Sequence, residues 1–264
     1  MLRRRSSDPP FLRENLVAAL QAGAACEVDI AFTADGHALC VHDQTLDRET
    51  SGRGLVAVAM RAQVERLFQR DGNGQVLGSA PLFLDEIVAT VRRIGAAAPA
   101  VVQLDIKSPA AALDTIRLAR FADVLGASAA DFIVSGYEWL AVQRISAMVP
   151  ALRAGFDPLL FYPRSCALDA TAFHALAART LATAPGASIY YLEARLVLAA
   201  LDCGVDLVAA VTGTGAQVDA WTINANRPNL RQDLRRLLDA GCHQITTNDP
   251  EELRPIVAEI AACS

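Results

Sequence analysis

Short segments of β-branched and apolar residues alternate along this chain with alanine- and leucine-rich segments of helical length, and few architectures accept that alternation. It is the pattern of an α/β protein built on a parallel sheet. A first helix is predicted near residues 13–22, with Gly23 as its left-handed stop. The strand-like segment 26–32 follows, and the turn Ala34-Asp-Gly36 leads into a second short strand over 38–42, so the pair reads as a hairpin. Later strands are predicted at 101–106, 132–135, 152–156, 188–192, 218–223 and 244–247. Helical patterns fill the gaps at 84–93, 110–125, 139–148, 167–181, 194–211 and 230–240.

Setting the hairpin arm aside leaves seven barrel-type strands, one short of a closed TIM (β/α)8 barrel. The eighth should precede the first helix, yet residues 1–12 hold three arginines, two prolines and few β-formers. The expected fold is therefore a TIM barrel lacking its first strand. Either the barrel is incomplete or this N-terminus is not the natural one. No linker, low-complexity tract or clear repeat interrupts the chain, so residues 1–264 read as one domain.

Composition narrows the function classes. With 53% hydrophobic and 20% charged residues and a mean hydropathy of +0.27, the chain can bury a large core, which sets aside sustained disorder and collagen-like or mucin-like structure. The longest apolar-rich stretch, 196–211, is interrupted by Asp202 and Asp206. It falls short of the roughly 20 apolar residues that cross a bilayer, so no transmembrane segment is expected. Met-Leu-Arg-Arg-Arg at the start mimics the flank of a signal peptide, but Ser6, Ser7, Asp8, Pro9 and Pro10 stand where its apolar core would be. A net charge of −5 provides no broad basic footprint for nucleic acid. Six cysteines at 26, 40, 166, 203, 242 and 263, without a C-x-x-C pair, read as small buried residues of a reducing compartment. The expected location is cytoplasmic.

Candidate chemistry starts with spacing. Glu27 and Asp29 are two apart on a predicted strand, so both carboxylates leave one face while Cys26, Val28 and Ile30 face the other way. Asp105 and Lys107 repeat that geometry in Leu104-Asp-Ile-Lys107. Convergent carboxylates repel unless one is protonated or a cation joins them, and oxygen-only ligands favour a hard ion such as Mg²⁺ or Ca²⁺. Lys107 beside such an ion would suit a phosphate. The same spacing also fits solvated acids on an exposed strand face. His42-Asp43, at the end of the hairpin, would move protons near neutral pH, with Asp43 orienting or solvating the site; taken alone, the pair fits a surface histidine capping a turn better. His37 at a turn, His174 in a helical stretch and His243 in a loop read as structural. Gly72-Asn-Gly74 and Thr212-Gly-Thr-Gly215 read as turns, without the pattern of a phosphate loop.

These residues also carry a family resemblance. Arg13-Glu-Asn-Leu16, Glu27-Val-Asp-Ile30, Thr33-Ala-Asp-Gly36, Val41-His-Asp43, Thr45-Leu-Asp-Arg48 and Gly52-Arg-Gly54 resemble the N-terminal half of the glycerophosphodiester phosphodiesterase family. The similarity resumes at Leu104-Asp-Ile-Lys107, Ala220-Trp-Thr-Ile-Asn224 and Thr246-Thr-Asn-Asp-Pro250, in the family's order. The resemblance implies a TIM barrel that hydrolyses a small-molecule glycerophosphodiester to an alcohol and glycerol 3-phosphate with a bound divalent metal, Mg²⁺ or Ca²⁺. It implies Glu27, Asp29 and Asp105 as metal ligands, the last in a position where the family usually has glutamate. It likewise implies Lys107 as a catalytic and substrate-binding cation, His42 as one of two catalytic histidines, and Trp221 as a substrate-binding aromatic.

The chain departs from the family at its start. Members begin with a strand ending in His-Arg-Gly, which here would fall near Arg5, and no histidine precedes His37. Arg4 or Arg5 would contact phosphate there, but an arginine stays protonated and shuttles protons poorly. Hydrolysis impaired by loss of the first catalytic histidine is therefore expected. The rival expectations are a non-catalytic protein that binds a phosphodiester or metal, and an enzyme that releases a cyclic phosphate, as the related sphingomyelinase D-like enzymes do. The loops at 161–166 and 212–217 would set the headgroup.

Overall fold

The computed structural model describes residues 3–5, 8–95, 101–162 and 168–262. Cys166, Cys263 and most of the loop at 161–166 lie outside the described residues. The chain forms two compact units, Met1–Ala154 and Gly155–Ser264.

The first unit contains α1 (Arg13–Gln21), β1 (Cys26–Phe32), β2 (Ala38–Cys40), α2 (Arg61–Val64), α3 (Leu84–Ile94), β3 (Val102–Ile106), α4 (Thr115–Leu125), β4 (Phe132–Ser135), α5 (Trp139–Met148) and the start of β5 (Arg153–Phe156). Its strands pair in the order β2-β1-β3-β4-β5, all parallel except the antiparallel hairpin β1–β2. Two-residue alternation sorts their side chains. Cys26, Val28 and Ile30 of β1, Val102, Leu104 and Ile106 of β3, and Phe132 and Val134 of β4 join Leu16, Leu20, Ile87 and Phe121 in one apolar core. The opposite face of the same strands carries Glu27, Asp29, Gln103, Asp105, Ile133 and Ser135. Both faces are largely buried, as in sheets whose strands are covered on each side.

The predicted helix 110–125 starts later than its composition suggests. Ala110–Ala112 forms a 3-10 turn, and α4 begins only after Asp114, whose carboxylate accepts from the Arg117 N–H at 2.8 Å. Between β2 and α3 the chain makes short bridges, Thr45 with Leu55, Thr50 with Gln69 and Arg70 with Val76, around a small apolar cluster that includes Leu46, Val56 and Val64. None of these pieces has the length or period that reads as an element in sequence.

The second unit holds the end of β5, α6 (Ala170–Thr183), β6 (Ile189–Glu193), α7 (Ala194–Asp202), α8 (Leu207–Thr212), β7 (Gln217–Trp221), α9 (Leu230–Asp239), β8 (Gln244–Ile245) and α10 (Pro250–Ala262). Its strands run parallel in the order β5-β6-β7-β8. Gly155 is required where it stands, because an added Cβ would lie 2.6 Å from the buried Tyr191 ring and 2.9 Å from Ile189. The predicted continuous helix 194–211 is in fact two. Gly204 at φ +74° ends the first, and the Asp206 carboxylate caps the second by accepting from the Ala209 N–H at 2.8 Å. Helix α10 is an element that the sequence reading lacks. Pro255 inside it reads as a breaker, although Pro250 at the first position and Glu251 and Glu252 in the first turn are a helix-start signature.

The fold is α/β, with eight strands among the described residues, and the seven parallel ones are those read from the sequence. No strand precedes α1 among the described residues. Cys26, Cys40 and Cys242 are buried free thiols, but Cys203 is exposed, because it sits in the break between α7 and α8. No helix among the described residues is long and apolar enough to cross a membrane.

Candidate active site

Parallel register brings the acidic residues of β1 and β3 together. Asp29 stands opposite Asp105, and Glu27 opposite Gln103, on the face turned away from the apolar core. One carboxylate oxygen from each of Glu27, Asp29 and Asp105 lies within 4.8 Å of the others. Asp29 is 1% exposed, and its buried Oδ2 has no hydrogen-bond partner among the described residues. Lys107 follows β3, where its N–H donates to the Ile30 carbonyl at 2.9 Å. Its Nζ lies 2.8 Å from Asp29 Oδ1 and also bonds Asp105 Oδ2.

Charge dominates this cluster. Burial raises the Glu27 carboxyl above its ordinary range, and the neighbouring Asp29 and Asp105 charges add to the rise. Burial pushes Asp29 the same way, but the Lys107 ammonium outweighs it and holds that carboxyl below the usual aspartate value. For Lys107 burial works against the charge, and the attraction of Asp105, Asp29 and Glu27 overcomes it, so the amine sits above the ordinary lysine value. The Lys107 ammonium thus bonds two of the three carboxylates, Asp29 and Asp105, and acts electrostatically on the third, Glu27.

His42 adjoins this cluster through the hairpin: the Val41 N–H donates to the Asp29 carbonyl at 3.1 Å, and His42 acts electrostatically on Asp29. Its Nδ1 is 3.0 Å from Asp43 Oδ1. Arg48 grips Asp43 with two bonds, at 2.6 and 2.7 Å, and reaches Glu49 Oε1 at 2.8 Å. Glu49 Oε2 in turn accepts from the His42 backbone N–H at 2.8 Å. The Arg48 hydrogen bond lowers the Asp43 carboxyl to about 2, so Asp43 stays ionised at neutral pH. Next to this network is a cavity of about 350 Å³ lined by charged side chains that include Arg3, Arg48, Glu49 and Arg70.

Glu27, Asp29, Asp105, Lys107 and His42 are therefore neighbours within the first unit. Trp221 ends β7 in the second unit, half-buried and in register with Glu193. Arg4 binds Asp8 through its backbone N–H and its Nε, at 3.2 and 3.4 Å. The sequence reading assigned no role to Gln103, Ser135, Arg48 or Glu49. Ser135 donates to Asp105 Oδ1 at 2.7 Å, and Gln103 Nε2 donates to Ser135 at 3.0 Å. Strand alternation flags Gln103, two residues before Asp105, but only the β3–β4 register reveals Ser135.

Comparison with known proteins gives a consistent picture. A family model described as "Glycerophosphoryl diester phosphodiesterase family" matches residues 14–252. The "Glycerophosphodiester phosphodiesterase" of Caldanaerobacter subterraneus subsp. tengcongensis is 24% identical over 261 residues, covering 95% of this chain and 94% of that protein. "Probable glycerophosphodiester phosphodiesterase 1" of Mycobacterium tuberculosis is 48% identical over 50 residues, a match spanning 19% of this chain and only 18% of that relative. A crystal structure of glycerophosphodiester phosphodiesterase from Agrobacterium tumefaciens str. C58 superposes with a TM-score of 0.67 at 18% identity, covering 97% of each chain.

Proposed function

Because this chain belongs to the glycerophosphoryl diester phosphodiesterase family, we propose that it hydrolyses a glycerophosphodiester to an alcohol and glycerol 3-phosphate. The residues assigned to bind the divalent cation, Mg²⁺ or Ca²⁺, are Glu27, Asp29 and Asp105. The observation that carries this reading is the three-carboxylate cluster, with its oxygens within 4.8 Å and Asp29 Oδ2 buried without a hydrogen-bond partner among the described residues. An all-oxygen donor set fits a hard divalent ion. When bound, such an ion supplies Lewis-acid neutralisation of charge on a phosphate oxygen.

The chain's own groups do the rest. Lys107 keeps its proton, is anchored by Asp29 and Asp105, and supplies a positive charge and N–H donors suited to phosphate. With Asp43 accepting from His42 Nδ1–H, the lone pair stands on Nε2. From there His42 takes a proton from attacking water or, once protonated, gives it to the leaving alkoxide. Arg48 and Glu49 hold this pair in place through Asp43 and the His42 backbone. The resemblance implies a second histidine for the opposite proton transfer, and one positioned acid or base of this kind contributes about 10²–10⁴-fold to the rate. Trp221 is assigned to substrate by the resemblance alone.

The test is hydrolysis of glycerophosphocholine with added Mg²⁺ or Ca²⁺, followed by phosphorus NMR. Glu27→Gln, Asp29→Asn and His42→Ala should each reduce the metal-dependent rate, His42→Ala by about 10²-fold or more. Unchanged rates in all three would refute the site. A cyclic phosphate product, or metal-dependent binding without turnover, would replace hydrolysis with one of the rival readings.

A further inference from the structure

The two oxygens of Asp105 have different partners. Oδ2 takes the Lys107 ammonium and so faces the acidic cluster. Oδ1 accepts from Ser135 Oγ at 2.7 Å, and Ser135 in turn accepts from Gln103 Nε2 at 3.0 Å. Ser135 is fully buried and Gln103 is 6% exposed, so water does not compete for these bonds. A carboxylate only accepts, so the single hydroxyl proton goes to Asp105, and the amide beside Ser135 must present its nitrogen. The chain from Gln103 through Ser135 to Asp105 therefore runs in one direction only.

Strand geometry builds this relay. Asp105 pairs with Ser135 across the parallel β3–β4 register, and Gln103 shares their face by the two-residue period. Without a partner on Oδ1, the Asp105 carboxylate could turn about its own axis and offer either oxygen, or both, to a cation. With the relay in place the carboxylate is held in one rotation, with Oδ1 on the Ser135 side and Oδ2 on the Lys107 side.

We propose that Ser135 and Gln103 are positioning residues that fix Asp105 as a one-oxygen metal ligand, aiming Oδ2 towards Glu27 and Asp29. This inference rests on the metal-binding reading given above. Groups that orient a metal ligand typically contribute about 10–100-fold to affinity or activity.

The experiment is Mn²⁺ titration of the metal-free full chain, with the free ion counted by electron paramagnetic resonance. Ser135→Ala should weaken Mn²⁺ binding by about 10–100-fold and Gln103→Met by about 10-fold, whereas Ser135→Thr, which keeps the hydroxyl, should stay near wild type. In phosphodiesterase assays the half-saturating metal concentration should rise in Ser135→Ala while kcat at saturating metal is retained; a merely structural defect would lower kcat as well. If wild type takes up no Mn²⁺, or Asp105→Asn binds it as tightly as wild type, the metal reading fails and this inference falls with it. If Asp105→Asn loses affinity but Ser135→Ala does not, only the positioning role is overturned. Should Ser135→Ala fail to fold, wild-type affinity in Gln103→Met overturns it instead.

Discussion

Replacing Lys107 with methionine removes the ammonium that bonds Asp29 and Asp105 while keeping much of the side-chain volume. The Lys107 side chain is 16% exposed, Asp29 2% and Asp105 10%, so little water is available to screen the charges left behind. Breaking a buried pair in this way costs about 3–5 kcal/mol. For a chain of this size, each kcal/mol corresponds to about 2–4 °C, so Tm should fall by roughly 6–20 °C at neutral pH with EDTA present. The pH dependence has a definite sign. Asp29, held low by Lys107 in the wild type, contributes stability above the ordinary aspartate pKa and loses it as the pH falls. In Lys107→Met the abandoned carboxylates are relieved by protonation, so the gap between the two proteins should narrow as the pH falls through about 4. A divalent ion should also substitute for the ammonium, restoring about 2.7 kcal/mol at 100 times its Kd. Thermal and urea unfolding, with EDTA and then with Mg²⁺ or Ca²⁺, measure all three effects. A variant as stable as wild type in EDTA, or one destabilised but indifferent to both pH and metal, would refute the electrostatic account of the cluster.

Two further outcomes follow from other parts of the structure. Arg48→Gln should remove the stability that Asp43 gains between its ordinary value of about 4 and its lowered value of about 2; the loss, up to about 1 kcal/mol for such a partly exposed pair, should vanish as the pH falls through that window in urea titrations. Gly155→Ala should destabilise by about 1–3 kcal/mol in chemical denaturation, because the added methyl meets the Tyr191 ring and Ile189, whereas alanine at Gly186, whose Cβ would meet nothing within 4 Å, should be limited to the backbone cost of its positive φ.

Much of the architecture is legible in the amino-acid order because strand and helix periods are local properties. The segments 26–32, 132–135 and 139–148 read directly as β1, β4 and α5. Where the reading slips, a single capping or turn residue decides. Gly204 and Asp206 split one apolar run into two helices, and Asp114 delays the start of α4. Pro255 hides α10, since a proline that removes one internal hydrogen bond looks like a stop even where Leu253 and Ile260 are buried enough to hold the helix.

The candidate site divides along the same line. The order of residues alone settles that Glu27 and Asp29 share a face, that Asp105 and Lys107 do so two residues apart, and that His42 and Asp43 close the hairpin, because a strand's two-residue period needs no partner. Whether those acids meet depends on register between strands more than 70 residues apart in sequence, and only the folded chain sets Asp29 against Asp105 and Asp105 against Ser135. The same holds for burial: one sequence spacing serves a solvated face or a desolvated cluster. Covering both faces of β1 and β3 turned these carboxylates into a buried cluster beside the Lys107 ammonium.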